Sequence, residues 1–159
     1  MKRPIFCLLS LVAWFCAQAQ TNVDFQRTED VIYGRKSGTA LTLDVFQPRP
    51  ANGVGIILMV SGGWFSAHEF INADLYRPFL GRGYTVFAVV HGSQPRFNIG
   101  EIIQDMHRAV RFIRHHSGRY GVDPERVFVD VNGCPIGSES EPGMNFAVET
   151  LEGGRRLKE

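Results

Sequence analysis

The sequence predicts an α/β protein whose sheet is mostly parallel, begins with an antiparallel pair of strands and carries helices on both faces. Three apolar runs, at residues 54–60, 84–90 and 126–131, have the continuous pattern of strands that are buried on both faces of a parallel sheet. Segments with helical periodicity lie between these runs, so strands and helices alternate along the chain. In such a sheet, ligands bind beyond the carboxyl ends of the strands.

Two shorter strands are predicted at residues 31–33 and 41–46, ahead of the three apolar runs. The second strand alternates Leu41, Leu43 and Val45 with Thr42, Asp44 and Phe46. A polar turn is expected at residues 34–38, and the Pro- and Gly-containing stretch at 47–53 is typical of a surface loop. These two strands are expected to form an antiparallel edge of the sheet.

Two helices are predicted between the apolar runs. The first covers residues 73–80 and is followed by two glycines. The second follows Asn98, which has the spacing of a capping box with Glu101, and Gly118 is expected to close it. Its apolar positions recur at helical spacing over four turns and comprise Ile99, Ile102, Ile103, Met106, Val110 and Ile113.

No metal or cofactor site is predicted. His68 and Glu69 lack the second histidine of a zinc-protease motif, and the adjacent His115 and His116 would point in different directions on a helix. Asp105 and Arg108, three residues apart on the second helix, are expected to form a surface pair.

The composition is that of an ordinary globular domain. The chain has 159 residues, of which 44% are hydrophobic and 21% are charged. The 17 basic residues nearly balance the 16 acidic ones, for a net charge of +1. This balance excludes general electrostatic binding to nucleic acid, and the length fits one domain.

The N-terminus has the pattern of a cleaved secretory signal. Lys2 and Arg3 precede an apolar stretch at residues 5–17 that is too short to span a bilayer, and Ala17-Gln18-Ala19 has the small residues of a cleavage site. We therefore expect a signal peptide at residues 1–19, a mature chain that begins near Gln20, and a secreted or periplasmic protein with no membrane span. Cys134 would be its one cysteine, so no intramolecular disulfide is expected.

The first candidate site is the segment that follows the run at residues 54–60. Gly62 and Gly63 leave their N–H groups unshielded by side chains, and N–H groups held in this way can form an oxyanion hole. The alternative is a tight strand exit without chemistry. The segments at 91–96 and from Asn132 onward follow the other two apolar runs and are expected at the same edge of the sheet.

From about residue 31 to residue 131 the chain resembles the α/β-hydrolase superfamily, in its secreted bacterial esterase/lipase branch. The segment Val60-Ser-Gly-Gly-Trp64 is similar to the His-Gly-Gly-Gly-Trp oxyanion-hole segment of those enzymes. The segments at 78–90, 104–114 and 120–127 are similar to the helix, strand, helix and Asp-Pro turn that follow it. The resemblance covers the N-terminal part of such a domain, here residues 20–131, and implies hydrolysis of small carboxylic esters without a cofactor.

The resemblance ends where the family carries Gly-x-Ser-x-Gly, the turn that presents the nucleophile. Aligning Gly133 and Gly137 with the two glycines places Pro135 at the serine position, and an ungapped count places Gly133 there. Cys134 and Ser138 lie nearby but not at the apex of the turn. No nucleophile is identified, and all five histidines precede this point.

Two hypotheses about function follow. In the first, the chain belongs to a secreted ester hydrolase and contributes the Gly62 and Gly63 amides. In the second, it is a non-catalytic relic or binding fragment. Residues 132–159 are expected to be a divergent tail, poorly ordered or with one short helix, and the loss of resemblance suggests a truncated or frame-shifted copy. Because the sheet would end at residues 126–131, the mature chain is expected to be poorly folded or prone to aggregate. Its oligomeric state is left open.

Overall fold

A computed structural model of the chain describes residues 23–130, which form one five-stranded sheet with a helix on each face. The order of the strands in the sheet is β1-β2-β4-β3-β5. The two leading strands are antiparallel, and β3, β4 and β5 are parallel to one another. The elements are β1 (Phe25–Lys36), β2 (Thr39–Pro48), β3 (Gly55–Met59), α1 (Ala73–Leu80), β4 (Thr85–Val89), α2 (Ile99–His116) and β5 (Val127–Asp130). The predicted fold class and its antiparallel edge are confirmed.

The leading hairpin is longer than predicted. Strand β1 continues to Lys36, so the turn consists of Ser37 and Gly38, both with positive φ, and the predicted turn at 34–38 is wrong in extent. The register between β1 and β2 shifts twice, between Thr28 and Val31 and again between Ile32 and Gly34. Each shift breaks the two-residue alternation, so the pattern in the sequence marks only the middle of the strand.

The core consists of two layers, one on each face of the sheet. Helix α2 covers a layer that includes Leu43, Ile57, Phe87 and Ile113, and α1 covers a smaller layer around Phe46. Strand β4 is buried along its whole length, as predicted for residues 84–90. The same prediction is wrong for the other two apolar runs, because alternate residues of β3 are only half-buried and, in β5, Phe128 is exposed while Val129 and Asp130 are half-buried.

Helix α2 begins as predicted and ends differently. The Asn98 side chain accepts from the Glu101 N–H and the Glu101 side chain accepts from the Asn98 N–H, which confirms the capping box. The helix ends at His116, not at Gly118, because the chain continues as a short 3₁₀ helix over Ser117–Tyr120. Neither helix within residues 23–130 is long and apolar enough to cross a bilayer. The expected signal peptide and the expected tail lie outside the described residues.

Candidate active site

Two of the three segments that were expected to form the site lie side by side. Strands β3 and β4 are parallel neighbours, so the segments after them leave the same edge of the sheet. The Gln94 N–H donates to the Trp64 carbonyl across them, with a nitrogen–oxygen distance of 3.3 Å. The third segment, from Asn132 onward, lies outside the described residues.

The segment after β3 forms a tight two-residue turn. The Gly62 N–H donates to the Phe65 carbonyl at 2.9 Å, and the Phe65 N–H donates to the Gly62 carbonyl at 3.0 Å. Gly63 and Trp64, between them, have φ values of 57° and 67°. Glycine adopts such angles without strain, whereas Trp64 pays an energetic cost there, of about 1 kcal/mol or more. The turn is therefore held in a shape that its sequence would not adopt unaided.

The turn distinguishes the two glycines that were predicted as oxyanion donors. The Gly62 N–H is engaged with Phe65, whereas the Gly63 N–H donates to no backbone carbonyl of the described residues. Both glycines are exposed, and a Cβ built on either would have no atom within 4 Å. Gly63 is thus the member of the pair whose amide is available to a ligand in this conformation.

Two serine hydroxyls hold the turn against the neighbouring loop. Ser66 Oγ donates to the Val60 carbonyl and accepts from the His91 N–H at 3.1 Å. Ser93 Oγ accepts from the Ser66 N–H at 2.7 Å and donates to the Ser66 carbonyl at 2.6 Å. Each hydroxyl therefore serves as donor and acceptor at once, and together they fix the distance between the two loops.

His91 lies at the exit of β4 and is buried, with 3% of its surface exposed. Its Nδ1 is 2.6 Å from the Gly92 carbonyl, and its Nε2 has no hydrogen-bond partner within residues 23–130. Burial lowers the pKa of His91, and the nearby Lys36 lowers it further, against the opposing effects of the Gly92 carbonyl and Asp105. The imidazole is therefore neutral near pH 7, with the Nδ1 proton donated to Gly92.

Asp105 is buried and is not the surface residue that was predicted. Its Oδ2 accepts from Lys36 Nζ at 2.8 Å and from the Gly92 N–H at 3.3 Å, and Arg108 Nη1 lies 3.8 Å from its Oδ1. A Cβ at Gly92 would lie 2.9 Å from Asp105 Oδ2 and 2.7 Å from the Phe97 ring, so this close approach requires glycine. The prediction failed because α2 packs its second turn against the end of β1 and the loop after β4.

A second buried carboxylate, that of Asp44 on β2, lies among other ionisable side chains on the α1 face of the sheet. Asp30, Asp44 and His68 each offer one ligand atom, and these atoms lie within 4.8 Å of one another. Arg27 Nη2 lies 2.6 Å from Asp44 Oδ2, and its Nε lies 2.9 Å from the same oxygen. The same guanidinium also contacts Glu29, with Nη1 3.1 Å from Oε1, and His68 Nε2 makes no hydrogen bond within residues 23–130.

An apolar groove of about 390 Å³ lies beside the turn on the α1 face. Gly62 and Val60 line one end of it, and Phe70 and Leu75 line the side toward α1. Phe70 and Leu75 are 58% and 67% exposed. The groove therefore brings an apolar surface to the edge of the candidate site.

Sequence reasoning missed the residues that hold the site in shape. Ser66, Ser93 and Lys36 carry no pattern that separates them from other polar residues. The burial of Asp44 could have been predicted. Asp44 and Phe46 are two residues apart on β2 and therefore point to the same face of the sheet, and an apolar Phe46 indicates that this face is covered.

Comparison with solved structures identifies the class of fold. Esterase B from Lactobacillus rhamnosis matches with a TM-score of 0.58 and 23% identity, over 67% of this chain and 35% of that one. Thermogutta terrifontis esterase 2 matches with a TM-score of 0.56 and 18% identity, over 82% and 53%. An α/β-hydrolase enzyme from a deep-sea metagenome library of the Medee basin matches with a TM-score of 0.55 and 12% identity, over 66% and 45%. The described residues have the fold of the N-terminal part of an α/β-hydrolase domain.

Sequence comparison identifies the family. The BD-FAE family model matches residues 43–134, and the chain belongs to this family. A probable isoprenylcysteine alpha-carbonyl methylesterase from Oryza sativa subsp. japonica is 27% identical over 106 residues, which are 65% of this chain and 24% of that protein. A protein of the same description from Arabidopsis thaliana is 23% identical over 101 residues. The chain spans about a quarter of the length of these relatives.

Proposed function

We propose that the described residues form the oxyanion-binding side of a carboxylic-ester hydrolase. The observation that carries this proposal is the turn at Gly63, whose amide is open at the carboxyl end of β3 and is braced by Ser66 and Ser93. The family, the fold of the solved esterases and the esterase descriptions of the relatives support it. The substrate class is a small carboxylic ester.

Ester hydrolysis is accelerated by an N–H donor placed beside the ester carbonyl oxygen. When a nucleophile attacks an ester carbonyl, the carbonyl oxygen becomes an alkoxide in the tetrahedral intermediate. An N–H donor that already points at this oxygen stabilises the charge without reorganisation, and the loss of one such donor typically costs about 10²–10³ in rate. Gly63 can provide this hydrogen bond, and the loop after β5 is where the fold would place the nucleophile.

We also propose that this chain shows no triad-dependent ester hydrolysis by itself. Pro135, or Gly133 in the ungapped alignment, takes the place of the nucleophilic serine, and neither has a nucleophilic side chain. His91, the histidine at the exit of β4, is buried and its Nε2 is shielded from solvent. The alternative of a non-catalytic binding fragment is compatible with this part of the proposal.

Anion binding at the turn tests the first proposal without any turnover. We would titrate isotopically labelled chain with methylphosphonate, which resembles the tetrahedral intermediate, and follow the amide signals by NMR. The chemical shift of the Gly63 amide is expected to change with phosphonate concentration and to reach a plateau. The amide of Gly118 is the control, because this glycine is also exposed but has no proposed role in anion binding, and its chemical shift should not change. Equal movement of both signals, or of neither, would contradict the proposal.

Hydrolysis of p-nitrophenyl acetate tests the second proposal. Wild type, Cys134→Ala, Ser138→Ala and His91→Ala, each checked for folding, are expected to give equal rates near the background. Free thiols and imidazoles attack activated esters slowly, so a low rate alone decides nothing. Enzyme-like turnover that any one substitution abolishes would identify a nucleophile or base and overturn the proposal.

We further propose that the protein is exported, to the periplasm or beyond the cell. The support is the basic pair at Lys2 and Arg3, the apolar stretch after it, and the small residues Ala17 and Ala19. N-terminal sequencing of the exported protein is expected to find a start near Gln20. Retention of Met1 on exported material would contradict a cleaved signal.

A further inference from the structure

Asp105 joins helix α2 to the loop that follows β4. The residue is buried, and a buried carboxylate is stable only where its charge is paired and hydrogen-bonded. Lys36 Nζ supplies the counter-charge at 2.8 Å from Oδ2, and the Gly92 N–H donates to the same oxygen at 3.3 Å. The other carboxylate oxygen, Oδ1, makes no hydrogen bond within residues 23–130. The helix therefore holds the backbone of the loop through Oδ2.

The residues on either side of Gly92 bind the segment that carries the Gly63 amide. Their hydrogen-bond partners in that segment are Ser66 and Trp64. The residues that make these bonds are His91, Ser93 and Gln94. Among the hydrogen bonds that residues 91–94 make to other described segments, the bond of the Gly92 N–H is the one that leads away from the turn, to α2.

The loop rests directly on the Asp105 carboxylate. A Cβ at Gly92 would lie within 3 Å of both Asp105 Oδ2 and the Phe97 ring, so the backbone itself makes the contact. The loop is also attached through Arg96, whose Nη2 donates to the Ser37 carbonyl at 2.7 Å, but this bond is exposed and follows the residues that touch the turn.

We propose that Asp105 is a positioning residue for the turn that carries the Gly63 amide, and that it acts through the Gly92 N–H. This inference rests on the role proposed above for that amide. Asp105 fixes the loop at Gly92, and the residues before and after Gly92 transmit this position to the turn. A role beyond stability is favoured because apolar residues in place of a buried charge pair are often as stabilising as the pair, or more so.

Amide hydrogen exchange in two double variants tests this role. Lys36→Met/Asp105→Leu and Lys36→Met/Asp105→Asn both remove the buried charge pair, but only asparagine keeps an oxygen that can accept from the Gly92 N–H. The asparagine nitrogen takes the place of Oδ1, which makes no hydrogen bond to a described residue. The two variants therefore differ mainly in whether residue 105 can accept from Gly92.

The Ser66 and Gln94 amides report on the contacts between the loop and the turn, and the Ile113 amide, in the core of α2, reports on general stability. In the leucine variant, we expect Ser66 and Gln94 to exchange roughly tenfold faster, relative to Ile113, than in wild type. In the asparagine variant, the same ratio is expected to stay within about threefold of wild type. Equal ratios in the two variants would overturn the proposal, because a merely structural role of Asp105 changes all three amides together.

Gly92→Ala tests the same contact from the loop and leaves the charge pair in place. Its added methyl group is expected to push the Gly92 N–H away from the Asp105 carboxylate. Gly118→Ala is the matched control, because a Cβ there would meet no atom within 4 Å. We expect the roughly tenfold selective acceleration at Ser66 and Gln94 in Gly92→Ala and not in the control. Its absence from Gly92→Ala would also overturn the proposal.

The methylphosphonate titration adds a readout that general stability does not control. The Kd measured at the Gly63 amide is expected to be roughly tenfold higher in the leucine double variant than in the asparagine one. Equal values would show that Asp105 does not act on this amide. If wild type binds no methylphosphonate, the proposed oxyanion role of Gly63 fails, and the exchange rates alone decide whether Asp105 positions the turn.

Discussion

At the scale of single residues, the site depends on small polar side chains that satisfy backbone groups. Ser66 and Ser93 between them contact four backbone groups, of Val60, Ser66 and His91. A hydroxyl suits this position because it donates and accepts at once within a space too small for an amide side chain. The strain at Trp64 is tolerated because these bonds fix the chain on one side of it.

Removal of the Ser66 hydroxyl is expected to destabilise the fold. Ser66→Ala leaves the Val60 carbonyl and the His91 N–H without their partner in a part-buried region, which typically costs about 1–3 kcal/mol. Ser61→Ala is the matched control, because the Ser61 hydroxyl makes no hydrogen bond to another described residue, and its effect should stay within about 0.5 kcal/mol. Urea unfolding at low protein concentration measures both. Equal urea midpoints for the two variants would show that the hydrogen bonds of the Ser66 hydroxyl contribute nothing to the free energy of unfolding.

His91 is expected to make stability depend on pH on the acid side. Its pKa is lowered in the folded protein, so the unfolded chain takes up the proton first as the pH falls. Stability is therefore fully present above the ordinary histidine pKa of about 6.5 and declines below it, by up to about 1.4 kcal/mol per pH unit for one proton. His91→Asn keeps a donor for the Gly92 carbonyl and cannot titrate, so it should flatten the decline between pH 6.5 and 5.

His115→Asn is the control for this titration, because His115 is exposed on α2. The pH profile of its unfolding free energy should follow that of wild type. If the profiles of His91→Asn and wild type are parallel, His91 is not the residue that responds to the proton.

At the scale of elements, buried charge pairs join parts of the chain that are far apart in sequence. Lys36 at the end of β1 pairs with Asp105 on α2, and its ammonium group also lies 4.1 Å from the centre of the Phe97 ring. The pair therefore fastens the hairpin, the loop after β4 and the helix at one point. The side chain of Asp105 is 1% exposed and that of Lys36 is 16% exposed.

Breaking this pair is expected to cost more than breaking a pair on the surface. Lys36→Met leaves the Asp105 carboxylate buried without its main counter-charge, a situation that typically costs about 3–5 kcal/mol. Arg77→Met is the matched control, since it breaks the exposed pair with Asp74 and should cost less than about 1 kcal/mol. The double variant Lys36→Met/Asp105→Leu should recover part of the loss. A cost for Lys36→Met no larger than that of Arg77→Met would contradict the buried pair.

The sequence predicted the elements well where local chemistry determines them. The capping box of α2 requires only Asn98 and Glu101, which are three residues apart, and the sequence displays both. The end of the same helix depends on the turn that follows, and there Gly118 was a misleading signal. Burial of Asp105 depends on Lys36 and Gly92, which reach it only once the sheet has formed, and no window of sequence contains that information.

At the scale of the whole molecule, the resemblance predicted the sheet and the family, while the shape of the site came from contacts between loops. The order β4-β3-β5 is the one expected when both crossovers are right-handed and their helices lie on opposite faces of the sheet. That Gly63, and not Gly62, has the available amide follows from a hydrogen bond to Phe65 that only the folded turn reveals. Two adjacent glycines look the same in the sequence whichever of them has the available amide.

The exposed apolar surface on the α1 face leads to a prediction about the whole chain. Phe65, Phe70 and Leu75 are 50%, 58% and 67% exposed and lie at or near the groove beside the turn. Apolar surface gathered in this way favours association, because burying it removes about 25 cal/mol per Å² of unfavourable hydration. We therefore expect the purified chain to self-associate increasingly with concentration, measured by sedimentation velocity.

The double variant Phe70→Ser/Leu75→Glu should shift that equilibrium toward the monomer, since it places polar groups along the groove while leaving both core layers intact. Ile103→Glu is the matched control, because Ile103 is 41% exposed on α2, on the opposite face of the sheet, and its substitution should leave association unchanged. A wild-type chain that stays monomeric at every concentration and unfolds in one sharp transition would contradict the prediction, and would favour a self-sufficient binding module over part of a hydrolase domain.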